Sequence, residues 1–286
     1  MKLVRYTRQG QTRIGKVTES GIVDLTELAG CGSSMRQVLH TLPRLFSQFE
    51  QESLPCCALS EVRLEAPIHD PQKFLGIGMN YQKHADEARQ AGIPVPQSQM
   101  WFNKQVSCIN GPFDPVVKPA VSEQMDYEIE LGVVIGQRCR HVSVADARKM
   151  IAGYLIVNDL SARDWLKKSP TFTLGKSFDT HGPVGPWITT ADEIADPMAL
   201  NMALWVNGEL RQQSLTGDMI YSIDEQIAYL SSVMTLEPGD ILATGTPSGI
   251  GAPRGIFLKP GDVIRLEIEQ LGVIEHQVVA EQQERL

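Results

Sequence analysis

Apolar and polar residues alternate in short pieces at the start of the chain. KLVRYTR, TRIGKVT and GIVDLT each follow a two-residue period, and QGQ and ESG between them have turn compositions. This pattern predicts small β-hairpins. From Ser34 to Phe49 the spacing changes, because Met35, Val38, Leu39, Leu42, Leu45 and Phe46 recur at three- and four-residue intervals. That spacing predicts an amphipathic helix interrupted by Pro43. The segment APIHDPQ, residues 66–72, reads as a linker. The expected organisation is a small N-terminal β domain over 1–68 and a larger domain over 69–286.

Beyond the linker, KFLGIGMNY predicts a strand and a turn, YQKHADEARQAG a helix ending at Gly92, and IPVPQSQ a mobile loop. DYEIELGVVIG predicts a strand, SVADARKMIAG a helix, and YLIVNDLSARDW a buried strand that runs into polar residues. The last third is strand-rich: ALWVNGEL, with Asn207-Gly208 as a type I′ hairpin signal, then DILATG and DVIRLEIEQLGVIEHQVV. LEPGDIL and LKPGDVI share a Pro-Gly-Asp turn, but two copies do not make a solenoid and read as ordinary turns. The fold class expected from this pass is mostly β with some α.

Composition narrows the function. A chain of 286 residues can bury a sizeable core. Its 26 Lys and Arg against 34 Asp and Glu give a net charge of -8, which argues against nucleic-acid binding. A small anionic substrate stays compatible, because a bound dication reverses the local sign. The five cysteines, at 31, 56, 57, 108 and 139, form no CxxC pair and leave one over, so a reducing cytoplasm is expected rather than a disulfide framework. MKLVRYTRQG has no apolar stretch of signal-peptide type, and apolar runs elsewhere fall far short of the roughly 18 residues of a membrane span. The expectation is a soluble, unprocessed protein without a membrane partner.

The segment Asp126-Tyr127-Glu128-Ile129-Glu130-Leu131 carries the strongest chemical signal. Strand periodicity puts Asp126, Glu128 and Glu130 on one face, either as a solvated surface or as a site for a hard cation that relieves their repulsion. The run Gly153 to Val157 fits a buried strand ending in Asn158-Asp159, which suggests a third acidic ligand or a turn. Arg163 follows one helical turn later, placed to orient a carboxylate or to bind an acidic substrate. His84 and Glu87, three apart in a helical segment, can share a face as a polarised base. Lys176, flanked by small and apolar residues, is a candidate for stabilising developing oxyanion charge. The loop Gly245-Thr246-Pro247-Ser248-Gly249-Ile250-Gly251 lacks the spacing of a P-loop or a dinucleotide turn. Its amides and the Thr246 hydroxyl are candidates for holding a substrate carboxylate.

In chain order, NYxxHxxE (80–87), DYEIEL (126–131), NDLSARD (158–164), GKSFDT (175–180), EPGDILATGTPSG (237–249) and PGDVIRLEIEQLG (260–272) resemble the fumarylacetoacetate hydrolase family over roughly residues 66–280. The resemblance implies a mixed, rolled β-sheet fold with a small N-terminal β domain, commonly as a homodimer. It implies Mg²⁺ or Mn²⁺ held by Glu128, Glu130 and Asp159, a lid-borne pair His84 and Glu87, and an active-site Lys176. Arg163 and Thr246 would be substrate contacts. Leu166 stands where many relatives carry a glutamine that approaches the substrate, and Gly78-Met79-Asn80-Tyr81 offers no additional aspartate ligand. Leu166 leaves the substrate preference open, and the missing aspartate points to the acylpyruvase-like branch.

The implied chemistry is cleavage of a carbon–carbon bond in a 2,4-diketo acid that chelates the metal through its carboxylate and 2-oxo oxygens. The same scaffold leaves open decarboxylation or tautomerisation of a 2-keto diacid such as oxaloacetate. Non-catalytic binding of a metal or small molecule also remains open.

Overall fold

The computed structural model describes residues 1–30, 32–90 and 92–282. Its backbone is a large mixed sheet packed against a five-stranded one. The large sheet runs in the spatial order Gly21–Asp24, Gln11–Thr18, Lys2–Arg8, Gly182–Thr190, Ile151–Asn158, Ile129–Ile135, Ile241–Ala243, Phe74–Gly78 and Met100–Lys104. All neighbours on this path are antiparallel except Ile241–Ala243 and Phe74–Gly78, which run parallel. The first strand pairs directly with Gly182–Thr190, with Leu3 opposite Ile188. The N-terminal hairpins therefore extend the same sheet that carries the acidic residues, and Ala66 and Ile68 of the linker segment are buried.

Strand periodicity explains where the cores lie. In Ile129–Ile135, the residues Ile129, Leu131, Val133 and Ile135 enter a core shared with Leu204, Leu266 and Ile274 of the five-stranded sheet. Val134 points the other way, into a core with Met35, Val38 and Leu39 of the N-terminal helix. Leu155 and Val157 join that second core while Ile156 joins the first. A sheet buried on both faces needs near-continuous apolar strands, and LGVVI and YLIV supply them.

Three local expectations change. The helix Met35–Gln51 continues through Pro43 instead of breaking there. Proline forgoes one helical hydrogen bond, but Met35, Val38, Leu39, Leu42, Leu45 and Phe49 are buried along one stripe, each burial worth about 1.5–3 kcal/mol. The expected strand DYEIELGVVIG is split into Met125–Asp126 and Ile129–Ile135, because Asp126 pairs with Ser161 in a separate small ladder. The expected helix over SVADARKMIAG spans only Val144–Ala147 before a 3₁₀ turn, and Ile151 already begins the next strand. The Asn207-Gly208 turn has φ of 52° and 78°, as a type I′ hairpin requires.

One end of the large sheet gathers the polar segments. The start of Ile129–Ile135 and the C-terminal ends of Ile151–Asn158, Ile241–Ala243 and Phe74–Gly78 all lie there. Asn80, fully buried, ties this end together. Its amide donates to the carbonyls of Tyr221 at 3.1 Å and Thr244 at 2.8 Å, and its Oδ1 accepts from the Tyr221 N–H at 2.8 Å. Asn80→Ala should lower stability by about 2–3 kcal/mol by leaving those groups unpaired. Denaturant unfolding is the measurement, and a loss below 0.5 kcal/mol, within the scatter of neutral surface changes, would remove the clasp from the account.

Candidate metal centre and active site

Glu128 lies just before the strand Ile129–Ile135, and Glu130 is its second residue. Asp159 follows the end of the antiparallel neighbour, where its N–H donates to the Glu128 carbonyl at 2.9 Å. The two-residue period then turns all three side chains to one side. All three are buried, with carboxylate oxygens within 4.8 Å of one another. At such a separation two like charges repel by about 3 kcal/mol or more at an effective dielectric near 20. The solvated-face reading of this segment is thereby excluded.

Each carboxylate meets that repulsion differently. Glu128 accepts from Lys176 Nζ at 2.7 Å and from Arg163 at 2.5 Å. Burial pushes its carboxyl up, but the two cations outweigh burial and hold it down at about 2. Asp159 contacts Lys176 Nζ through Oδ2 and has Lys104 Nζ 2.7 Å from Oδ1. That ammonium lies out of line, so Oδ1 has no hydrogen-bond partner. Glu130 accepts from the Gly245 N–H at 2.8 Å and makes no ion pair among the described residues. Burial first, then the charges of Asp159 and Glu128, push its carboxyl well above the ordinary range.

These features fit a metal. The donors are all carboxylate oxygens, the set preferred by hard dications, and the orphaned Asp159 Oδ1 has a lone pair to give. Glu128, Glu130 and Asp159 would hold the ion. In its absence Lys176 neutralises two of the same carboxylates, and the charges of Asp159 and Glu128 push its own pKa up against the effect of burial.

The remaining candidates surround this centre. His84 and Glu87 lie on the helix Gln82–Gln90, with Nδ1 3.6 Å from Glu87 Oε2. This is too long for a hydrogen bond, and both atoms are buried without a partner. Burial lowers the His84 pKa from its ordinary value, opposed by Glu128 and reinforced by Arg163. Arg163 spans two carboxylates, donating through Nε to Asp126 at 2.9 Å and through Nη2 to Glu128. The Thr246 hydroxyl donates to the Ile129 carbonyl at 2.9 Å and accepts from Gln212 at 2.8 Å. The glycine-rich loop uses its amides on the protein's own acids: Gly245 on Glu130, Gly251 on Asp126 at 2.8 Å. Gly245 has φ +98°, and a Cβ there would meet Asn80 Cβ at 2.8 Å, so the close approach needs glycine. His84, Glu128, Glu130, Arg163, Lys176 and Thr246 line a single cavity of about 170 Å³.

Two groups escaped the sequence reading. Lys104, 2% exposed, also reaches the carbonyl of Lys176. Its signal was its two-residue offset from Phe102 in the strand MWFNK, which puts a lysine on a buried face. Gln212, buried in the otherwise polar strand ELRQQSL, gives no sequence signal at all.

A model of the fumarylacetoacetate (FAA) hydrolase C-terminal family matches residues 73–279. A provisionally named hydrolase of Burkholderia orbicola is 42% identical over 283 residues, 95% of this chain and 96% of that protein. The mitochondrial oxaloacetate tautomerase of Bos taurus is 44% identical over 230 residues, 79% of this chain and 72% of that one. The crystal structure of maleylpyruvate hydrolase from Sphingobium sp. SYK-6, in complex with manganese(II) and pyruvate, has a TM-score of 0.85 at 37% identity. It covers 99% of this chain and 100% of that chain.

Glu130→Gln should cut Mn²⁺ or Mg²⁺ affinity at least about 100-fold in calorimetry, since a neutral amide replaces an ionic ligand. The metal-free variant should melt no lower than the parent, because the substitution removes a repelling carboxyl, and it should lose the rise in Tm that saturating metal gives the parent. Unchanged metal affinity would exclude Glu130 as a ligand.

Proposed function

The chain belongs to the fumarylacetoacetate hydrolase family, and we propose that it is a Mg²⁺- or Mn²⁺-dependent hydrolase that cleaves a 2,4-diketo acid into pyruvate and a carboxylic acid. The observation that carries this reading is a cavity lined by Glu128, Glu130, the half-buried His84 and the buried Lys176, with Asp159 completing the three-carboxylate cage behind it. The likeness to maleylpyruvate hydrolase supports it.

A dication held by Glu128, Glu130 and Asp159 would supply positive charge for the 2-oxo-acid end of the substrate and for the enolate character that develops there. Glu87, 3.6 Å from Nδ1, favours the His84 tautomer with its proton on that nitrogen and leaves the Nε2 lone pair free. His84 takes a proton from water, whose oxygen adds to the C4 carbonyl. The C3–C4 bond then breaks, its electron pair moves onto C3 and the 2-oxo oxygen, and C3 is protonated to give pyruvate. Lys176, buried and cationic beside Glu128, adds charge stabilisation on the side where the enolate forms. Arg163 keeps Glu128 ionised and oriented, and the Gly245 amide orients Glu130.

Tautomerisation of a 2-keto diacid is the second reading, favoured by the 44% identity to the oxaloacetate tautomerase. It needs proton transfer at C3 and no attack by water, so the products separate the two.

His84→Asn should lower kcat for pyruvate release by about 10²–10⁴ while the affinity for a 2-oxo acid stays within a few-fold. A coupled pyruvate assay with Mg²⁺ or Mn²⁺ reads this, and chelator should abolish turnover in the parent. Full activity in chelator, or ketonisation of oxaloacetate with no cleavage of any 2,4-diketo acid, would overturn the hydrolase reading.

A further inference from the structure

The wall of the active cavity away from the carboxylates is apolar. It is built by Met79, Met100, Phe102, Leu166 and Phe172. Lys176 Nζ lies 4.9 Å from the centroid of the Phe102 ring, and Phe172 meets Phe102 edge to face at 6.3 Å. The aromatic pair therefore continues outward from the polar centre.

Two of these side chains are held at a cost. Met79 has φ +53° and Phe172 φ +61°, the left-handed region that glycine and asparagine normally occupy. A bulky residue kept there by its surroundings marks a place where the side chain itself is needed. Met79 follows the strand Phe74–Gly78, and Phe172 precedes the short helix Thr173–Lys176 that delivers the lysine. Each strained residue thus joins a wall position to an element of the catalytic centre.

The cations that line the cavity are already engaged. Arg163 bridges Asp126 and Glu128, and Lys176 bridges Glu128 and Asp159. Nearby, Lys104 is buried against Asp159, and Lys168 sits over the Trp165 ring at 3.5 Å. A second carboxylate on the substrate would enter this wall without a partner, a heavy desolvation cost.

We propose that this wall is a tail subsite for an uncharged, apolar acyl group and that it rejects a substrate ending in a second carboxylate. The inference rests on the 2,4-diketo-acid reading above and adds its specificity. Maleylpyruvate and oxaloacetate, named for two of the similar proteins, both carry that second carboxylate. Leu166, where a polar residue was expected from the family pattern, belongs to the same wall.

The test compares pairs of equal length that differ by methyl against carboxylate. Butanoylpyruvate should exceed succinylpyruvate by about 100-fold or more in kcat/KM. In calorimetry with Mg²⁺, 2-oxohexanoate should bind at least about tenfold more tightly than 2-oxoadipate, a readout that needs no turnover. Leu166→Arg should reverse the preference. Phe172→Gly should lose about tenfold of the discrimination while the thermal midpoint changes little, since glycine relieves the left-handed strain. Equal or tighter binding of the dicarboxylate would overturn the tail subsite even if pyruvate is released. No pyruvate from any 2,4-diketo acid, with 2-oxohexanoate still preferred, would overturn the hydrolase reading and leave the subsite standing.

Discussion

Mutual repulsion among Glu128, Glu130 and Asp159 is the constraint around which this end of the molecule is organised. Their buried oxygens are held within 4.8 Å of one another, where bulk solvent screens them poorly. Together with Asp126 they make four buried carboxylates, faced by the half-buried Arg163 and the buried Lys176 and Lys104. With all four ionised the chain alone would carry one negative charge in excess, and the strain of that excess falls on Glu130, whose carboxyl is pushed above its ordinary range and which among the described residues accepts only from a backbone amide. A bound dication would reverse that balance to one positive charge, so an acidic protein could still take an anionic substrate there.

Such a cluster survives because its supports are rigid. Glu128 and Asp159 are locked across adjacent strands, and those strands are buried on both faces between two apolar cores. Neither carboxylate can swing away without disturbing core packing, which is dense enough to resist small shifts. The glycine-rich loop and Arg163 add fixed hydrogen bonds to Glu130, Asp126 and Glu128. Preorganised ligands on strands cost little to reorganise when charge arrives. The helix bearing His84 is anchored by Asn80 before it and by its buried Ala85 and Ala88, while His84 Nδ1 and Glu87 Oε2 lack hydrogen-bond partners among the described residues.

Much of this was legible in the sequence, for physical reasons that differ by element. Strands buried on both faces are written as apolar runs, so LGVVI and YLIV could be read directly, and the Asn207-Gly208 turn announces itself by its need for positive φ. The acidic triad became legible only through the family resemblance, because strand periodicity alone left a solvated face open for Glu128 and Glu130 and a turn open for Asp159. Pro43 misled because local propensity was outweighed by the burial of the helix stripe around it. The break between Asp126 and Ile129 was invisible, since it depends on Ser161 and Gly251, distant in the chain. The loop amides were read as substrate ligands because a sequence cannot tell which carboxylate, its own or a visitor's, a backbone N–H will meet. The apolar wall is assembled from four separate segments, and the left-handed backbone of Met79 and Phe172 leaves no mark on residue type.

Anomalous diffraction at the manganese edge, from crystals of the protein grown with Mn²⁺, addresses the central claim most directly. The account predicts one strong peak at about 2 Å from oxygens of Glu128, Glu130 and Asp159 together. A map with no peak there, and Lys176 still bridging Glu128 and Asp159, would contradict it.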